Sequence, residues 1–167
     1  MAGDTNAGVG LLAQYYNNAD LTDLVLTRTD SSIAFDWGAG SPDGSLGADT
    51  FSVRWSGQVE SVFTENYSFI VNADNGVRLW VNGKLLIDRW SEAPVVGASG
   101  TINLVSGRKY DILLEYFETT GNASVQLDWS SPSQPQQTLP PFDSFRPKEA
   151  ARHVRLGIMS PVLQVPL

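Results

Sequence analysis

Asn72-Ala73-Asp74-Asn75-Gly76-Val77-Arg78-Leu79-Trp80-Val81-Asn82-Gly83-Lys84-Leu85-Leu86-Ile87-Asp88 is the stretch that decides the fold. Val77, Leu79 and Val81 alternate with Arg78 and Trp80, the period of a strand that lays one face on a core. Asn82-Gly83 follows at once, and this pair favours a type I′ hairpin because both central residues need positive φ. The chain then returns through Lys84-Leu85-Leu86-Ile87. Upstream, a strand marked by Tyr67, Phe69 and Val71 delivers the chain to a tight corner at Asp74-Asn75-Gly76. Oxygen-bearing side chains therefore gather at a reversal. Ca2+ takes six to eight oxygens from carboxylates, amides and carbonyls, so Asp74 and Asn75 each offer a ligand. Asp, Asn and Gly also form turns for conformational reasons alone, and the corner by itself leaves both readings open.

The alternation repeats outward in both directions. Ile33, Phe35 and Trp37, then Phe51, Val53 and Trp55, precede the corner; Ile102 and Leu104, then Tyr110, Ile112, Leu114 and Tyr116, then Val125, Leu127 and Trp129, follow it. Ser106-Gly107 and Gly121-Asn122 mark further reversals, and residues 38–47, with Pro42-Asp43-Gly44, read as a longer loop. Many short strands with turns at this spacing predict an all-β protein, an antiparallel sandwich or barrel, over residues 1–130. Residues 131–147 hold five of the nine prolines and read as an extended strap or linker. Residues 148–167 form an extended C-terminal tail, basic at first and apolar toward Leu167. Such a tail covers the domain's own flank or docks on a neighbouring chain.

Charge and composition narrow the function. Residues 1–145 carry seven Lys or Arg against seventeen Asp or Glu, a net −10, whereas residues 146–167 carry a net +3. An acidic body disfavours nucleic acid and anionic lipid, which are bound through clustered Lys and Arg. There is no cysteine, and the one histidine, His153, lies in the tail, so neither a thiol nucleophile nor a core Ser-His-Asp triad is available. The chain is read as non-catalytic. No apolar run has the length of a membrane span. Met1-Ala2-Gly3-Asp4 lacks the basic and apolar regions of a signal peptide, so none is read there.

The corner, together with other segments in order, resembles the PA14 domain family. Gly10-Leu11-Leu12-Ala13-Gln14-Tyr15-Tyr16 resembles the family's Gly-Leu-x-x-x-Tyr-Tyr strand, and Phe51-Ser52-Val53-Arg54-Trp55-Ser56-Gly57 its aromatic-Arg-Trp-x-Gly strand. Asp74 to Asp88 resembles the Asp-x-Gly-x-Arg-Leu signature with its Asn-Gly hairpin, and Tyr110–Tyr116 with Val125–Trp129 the closing pair of strands. The resemblance implies a β-sandwich or barrel found in toxins, glycosidases and adhesins. In its lectin-like members two consecutive aspartates joined by a cis peptide bind calcium, and the ion takes sugar hydroxyls. Asp74 and Asn75 stand at those positions, an amide replacing the second carboxylate and lowering the charge of the site.

Lectin-like members complete the ion shell from a loop between the last two strands, which here offers Glu118 and Asn122. Both also read as solvated loop residues. The resemblance thus implies Asp74, Asn75 and Asn122 as calcium ligands and Trp90, Glu118 and Asn122 toward a carbohydrate. Trp55 and Trp129 fall in core phase; Trp80 faces the other way, as a platform for a sugar or packing for the tail. Arg78 reads as structural. The expected function is calcium-assisted glycan binding at an extracellular or particle surface. The alternative is a structural or decoration subunit that docks through residues 148–167.

Overall fold

Alternating side chains build each long strand and stack the strands into two antiparallel sheets around one aromatic-rich core. The computed structural model describes residues 10–139. Its strands are β1 (Leu11–Tyr16), β2 (Leu24–Asp30), β3 (Ala34–Gly38), β4 (Phe51–Glu60), β5 (Glu65–Asp74), β6 (Gly76–Val81), β7 (Lys84–Arg89), β8 (Val95–Leu104), β9 (Lys109–Glu118), β10 (Ala123–Ser131) and β11 (Gln134–Thr138). Six form one sheet in the order β2-β1-β4-β9-β6-β7; β11-β10-β5-β8 form the second, and β3 pairs with β10 as well. β10 shares one edge between two partners: β3 lies along Ala123–Gln126 and β11 along Asp128–Ser131. The all-β sandwich predicted from the alternation is the fold observed, and the described residues contain no helix.

The inward residues are those the period-two pattern assigns. Tyr15, Phe51, Val53, Trp55, Tyr67, Phe69, Leu79, Leu114, Tyr116, Leu127 and Trp129 are fully or almost fully buried. Their rings pack edge-on or tilted, as Tyr67 does on Trp129 at 5.0 Å and Tyr15 on Trp55 at 6.2 Å. A buried aromatic removes about 150–250 Å² from water, an upper estimate of roughly 4–6 kcal/mol each. One carboxylate sits among them. Asp30 accepts from Tyr15 Oη at 2.6 Å, Trp55 Nε1 at 2.8 Å and Arg28 Nε at 2.7 Å, so its charge is compensated and three strands are tied at one point. Asn82 and Gly83 have φ of 51° and 73°, as the predicted hairpin requires.

Three elements depart from the pattern read in the sequence. β2 carries no clean alternation, since Leu24 and Val25 are both exposed and its inward terminal residue is Asp30. β8 begins at Val95, well before Ile102. The strap expected over residues 131–147 holds β11, and the buried Leu139 donates its N–H to the Leu127 carbonyl, so the packed fold runs past Ser130 to Leu139. Pro135 is tolerated there because β11 is an edge strand. The C-terminal tail lies outside the described residues.

Candidate functional site

The end of β5, the start of β6 and the end of β9 meet at the Asp74-Asn75-Gly76 corner. The Asp74–Asn75 peptide is cis. Gly76 is required by space: a Cβ there would lie 2.0 Å from Cε1 of Phe117 on β9. With no side chain at 76, the corner closes directly onto β9 and brings Asp74 beside Tyr116 and Glu118.

Asn75 is nearly buried, and its amide is fully used. Its Nδ2 donates to Asp74 Oδ1 and to the Glu92 carbonyl, both at 2.9 Å, while Oδ1 accepts from Thr119 N at 3.0 Å and Thr119 Oγ1 at 3.2 Å. It clamps the corner between the β7–β8 loop and the end of β9, and orients the Asp74 carboxylate. On the core side, the Tyr116 hydroxyl donates to the Asp74 carbonyl and lies 3.4 Å from Glu118 Oε2.

Glu118 is fully buried, not a solvated loop residue: it is the last residue of β9. Its Oε1 has no hydrogen-bond partner among the described residues. Burial, and then the negative charge of Asp74, push the Glu118 carboxyl up to about 7; Asp49 adds to the shift, and the Tyr116 hydroxyl opposes it. Burial likewise raises the Tyr116 phenol above its usual range. Asp49, in turn, accepts from Gly121 N at 3.3 Å. The corner thus collects negative charge and a buried oxygen without a hydrogen-bond partner among the described residues.

Neither of the other two candidates hydrogen-bonds to Asp74, Asn75 or Glu118 among the described residues. Asn122 is exposed on the loop after β9 and makes no hydrogen bond among the described residues. Trp90 is half-buried against Phe117 at 4.6 Å, with the Arg78 guanidinium over its ring at 4.0 Å. Phe117 and Glu118 are successive residues of a strand and point to opposite faces, so Trp90 stands across β9 from Glu118. Arg78 is structural in contact: its Nη2 meets Glu115 Oε2 at 2.8 Å, and Arg54 Nη2 meets Glu115 Oε1 at 2.9 Å. Asp49 and Thr119 carry no signal of their own in the sequence, and Tyr116 is read there only as an inward residue of its strand. The pairing of Phe51 with Glu118, and the Thr50 N–H donated to the Thr119 carbonyl at 3.1 Å, bring the residues before β4 alongside the end of β9.

The donor set suits a hard cation in kind. Asp74 and Glu118 supply carboxylate oxygens, and the unpartnered Glu118 Oε1 is the position where a proton or cation would remove the cost of burial. Among the described residues no group of three or more His, Cys, Asp or Glu is placed to hold a metal by itself. Any further ligands are therefore backbone, amide, water or glycan oxygens.

The PA14 domain family model matches residues 8–142. Anti-sigma-I factor RsgI3 of Acetivibrio thermocellus is 48% identical over 133 residues, 80% of this chain and 21% of that protein. The structure of an anti-sigma factor domain-containing protein from Clostridium clariflavum is similar with a TM-score of 0.77 at 44% identity, covering 79% of this chain and 45% of the other. A PA14 sugar-binding domain from an RTX adhesin shares the fold at 17% identity, with a TM-score of 0.63 over 80% of this chain and 96% of its own. The chain spans about a fifth of the curated relative and under half of the solved one. Two sheets closed at the Asp74-Asn75-Gly76 corner, and a family match from residue 8 to 142, establish that the chain belongs to the PA14 domain family.

Proposed function

We propose that the domain binds glycan at an extracellular or cell surface, and that Ca2+ held at the Asp74-Asn75-Gly76 corner assists. One observation carries the ion: Glu118 is buried beside Asp74 with an oxygen, Oε1, that no hydrogen-bond partner among the described residues satisfies. Asp74 and Glu118 would hold the cation, and Asn75, whose amide is committed to Thr119 and Glu92, would hold Asp74 in place. When bound, the ion offers open coordination positions to a pair of sugar hydroxyls. Asn122, exposed on the loop after β9, is free to meet a glycan. Likeness to a sugar-binding PA14 domain supports the glycan. Likeness to part of an anti-sigma factor supports a use in sensing, with glycan contact reported by a longer protein.

Isothermal titration with Ca2+, followed by a glycan array with and without chelator, tests the reading. Calcium-dependent glycan signal is expected in the parent and absent in Asp74→Ala. Equal signal in parent, chelated and Asp74→Ala proteins would sink the role of the ion, and a blank array would sink the glycan.

A further inference from the structure

We propose that the outer face of the six-stranded sheet carries a second glycan subsite, independent of calcium, in which a neutral sugar chain stacks on Trp80. The proposal rests on the domain being a glycan binder, but not on the ion at the corner.

The strand registers align one outward row across five adjacent strands. Leu12 on β1 faces Ser56 on β4, Ser56 faces Leu113 on β9, Leu113 faces Trp80 on β6, and Trp80 faces Leu85 on β7. Leu12 and Leu85 are 47% and 44% exposed, and Trp80 and Leu113 are half-buried. The middle of this row is an open groove of about 560 Å³, lined by Trp80, Leu113, Ser56, Gln58, Gly83 and Asp111 among others. Ligand sites commonly measure roughly 300–1,000 Å³.

The rows on either side decide the occupant. On one side Gln58 faces Asp111, and Gln58 Nε2 donates to Asp111 Oδ1 at 2.9 Å; both side chains are exposed. A carboxylate and an amide locked together present fixed acceptors and a remaining donor beside an indole. A pyranose needs this pattern, because its C–H faces are apolar while its rim is hydroxyl. On the other side Arg54 and Arg78 are both bound to Glu115, and the Arg78 guanidinium also lies 5.6 Å from the Trp80 ring centre. These two arginines are committed, and the body is strongly acidic, so an acidic polymer is disfavoured. Ser56 interrupts the apolar row, unlike the continuous apolar centre of a protein interface. A flat groove crossing several strands suits an extended, uncharged polysaccharide.

Native gels cast with xyloglucan, galactomannan or mixed-linkage β-glucan, each with chelator present, test the subsite. The parent is expected to be retarded by at least one polymer, Trp80→Ala to bind roughly tenfold more weakly, and Trp80→Tyr to keep most of the binding. Gln58→Ala with Asp111→Ala alters exposed residues only and is expected to weaken binding even where Trp80→Ala fails to fold. No retardation in chelator by any of the three polymers overturns the subsite, as does retardation that Trp80→Ala and the double variant leave unchanged. Retardation seen only in gels cast without chelator, and lost in Asp74→Ala, overturns it while leaving the corner reading standing. A dimeric mass that reverts in Trp80→Ala assigns the face to a second copy, and also overturns it.

Discussion

Gly76 and Phe117 touch so closely that the corner has room for no side chain at 76: an added Cβ would lie 2.0 Å from Cε1 and 2.7 Å from Cδ1 of the ring. Phe117 cannot retreat freely, because Trp90 packs on it at 4.6 Å and Arg78 on Trp90 at 4.0 Å. Gly76→Ala is therefore expected to destabilise the fold by about 1–3 kcal/mol, the usual cost of overpacking. Urea denaturation of parent and variant measures it. An unchanged midpoint would mean that the corner can open away from β9.

Glu118 makes stability depend on pH in an unusual direction. Its carboxyl titrates near 7 in the folded, metal-free protein, above its ordinary value of 4.5, so the folded state holds a proton that the unfolded state has released. The contribution is present at low pH and is lost as pH rises from about 4.5 through about 7. In chelator, the stability difference between Glu118→Gln and the parent is expected to grow in the variant's favour over that window. A difference independent of pH between 4 and 8 would contradict the burial of an ionisable Glu118.

A cation at the corner reverses that penalty. If Asp74 and Glu118 hold Ca2+, the ion at a hundred times its dissociation constant adds about 2.7 kcal/mol to stability. A thermal shift of several degrees is expected in the parent and none in Asp74→Ala or Glu118→Gln. Mg2+ at equal concentration is expected to do less, since it demands a regular octahedron that this asymmetric donor set does not offer.

Asp30 tests the other end of the six-stranded sheet. Asp30→Ala leaves Tyr15 Oη and Trp55 Nε1 buried without their acceptor, at a cost of about 2–4 kcal/mol. Asp30→Asn keeps one oxygen and the shape, and is expected to cost less. Fluorescence of the denaturation transition ranks the two, and a smaller loss in Asp30→Ala than in Asp30→Asn would contradict the role given to the carboxylate.

The fold was legible wherever a strand buries one face. Phe51, Val53 and Trp55 or Val125, Leu127 and Trp129 alternate because one set enters the core, and all six are buried. β2 was not legible, since an edge strand whose one deeply buried residue is an aspartate has no apolar period to read. β11 was hidden by Pro135 and its Gln neighbours, which an edge position tolerates. At the corner, Asp74, Asn75 and Glu118 were found through their likeness to family positions, and the structure brings these three together. The part played by Asn75 was not readable. Whether an amide faces an ion or clamps its neighbours depends on Thr119 and Glu92, and no local spacing encodes those contacts. That Trp90 packs on Phe117 was not readable for the same reason: the strand fixes only that Phe117 and Glu118 diverge.

β1 runs from Leu11 to Tyr16, with β2 bonded along one edge and β4 along the other. Tyr16 faces Ser52, which faces Phe117, so β1 ends on the corner's side of the sheet and begins about 20 Å away. Tension arriving through residues upstream of β1 would load two hydrogen-bonded ladders in shear, at the pole opposite Asp74 and Glu118. Pulled from that side, the domain would resist as a mechanical clamp while the Asp74-Asn75-Gly76 corner stayed outside the path of the force. β11 has a ladder on one edge only, so traction through Leu139 would meet the weaker seam first.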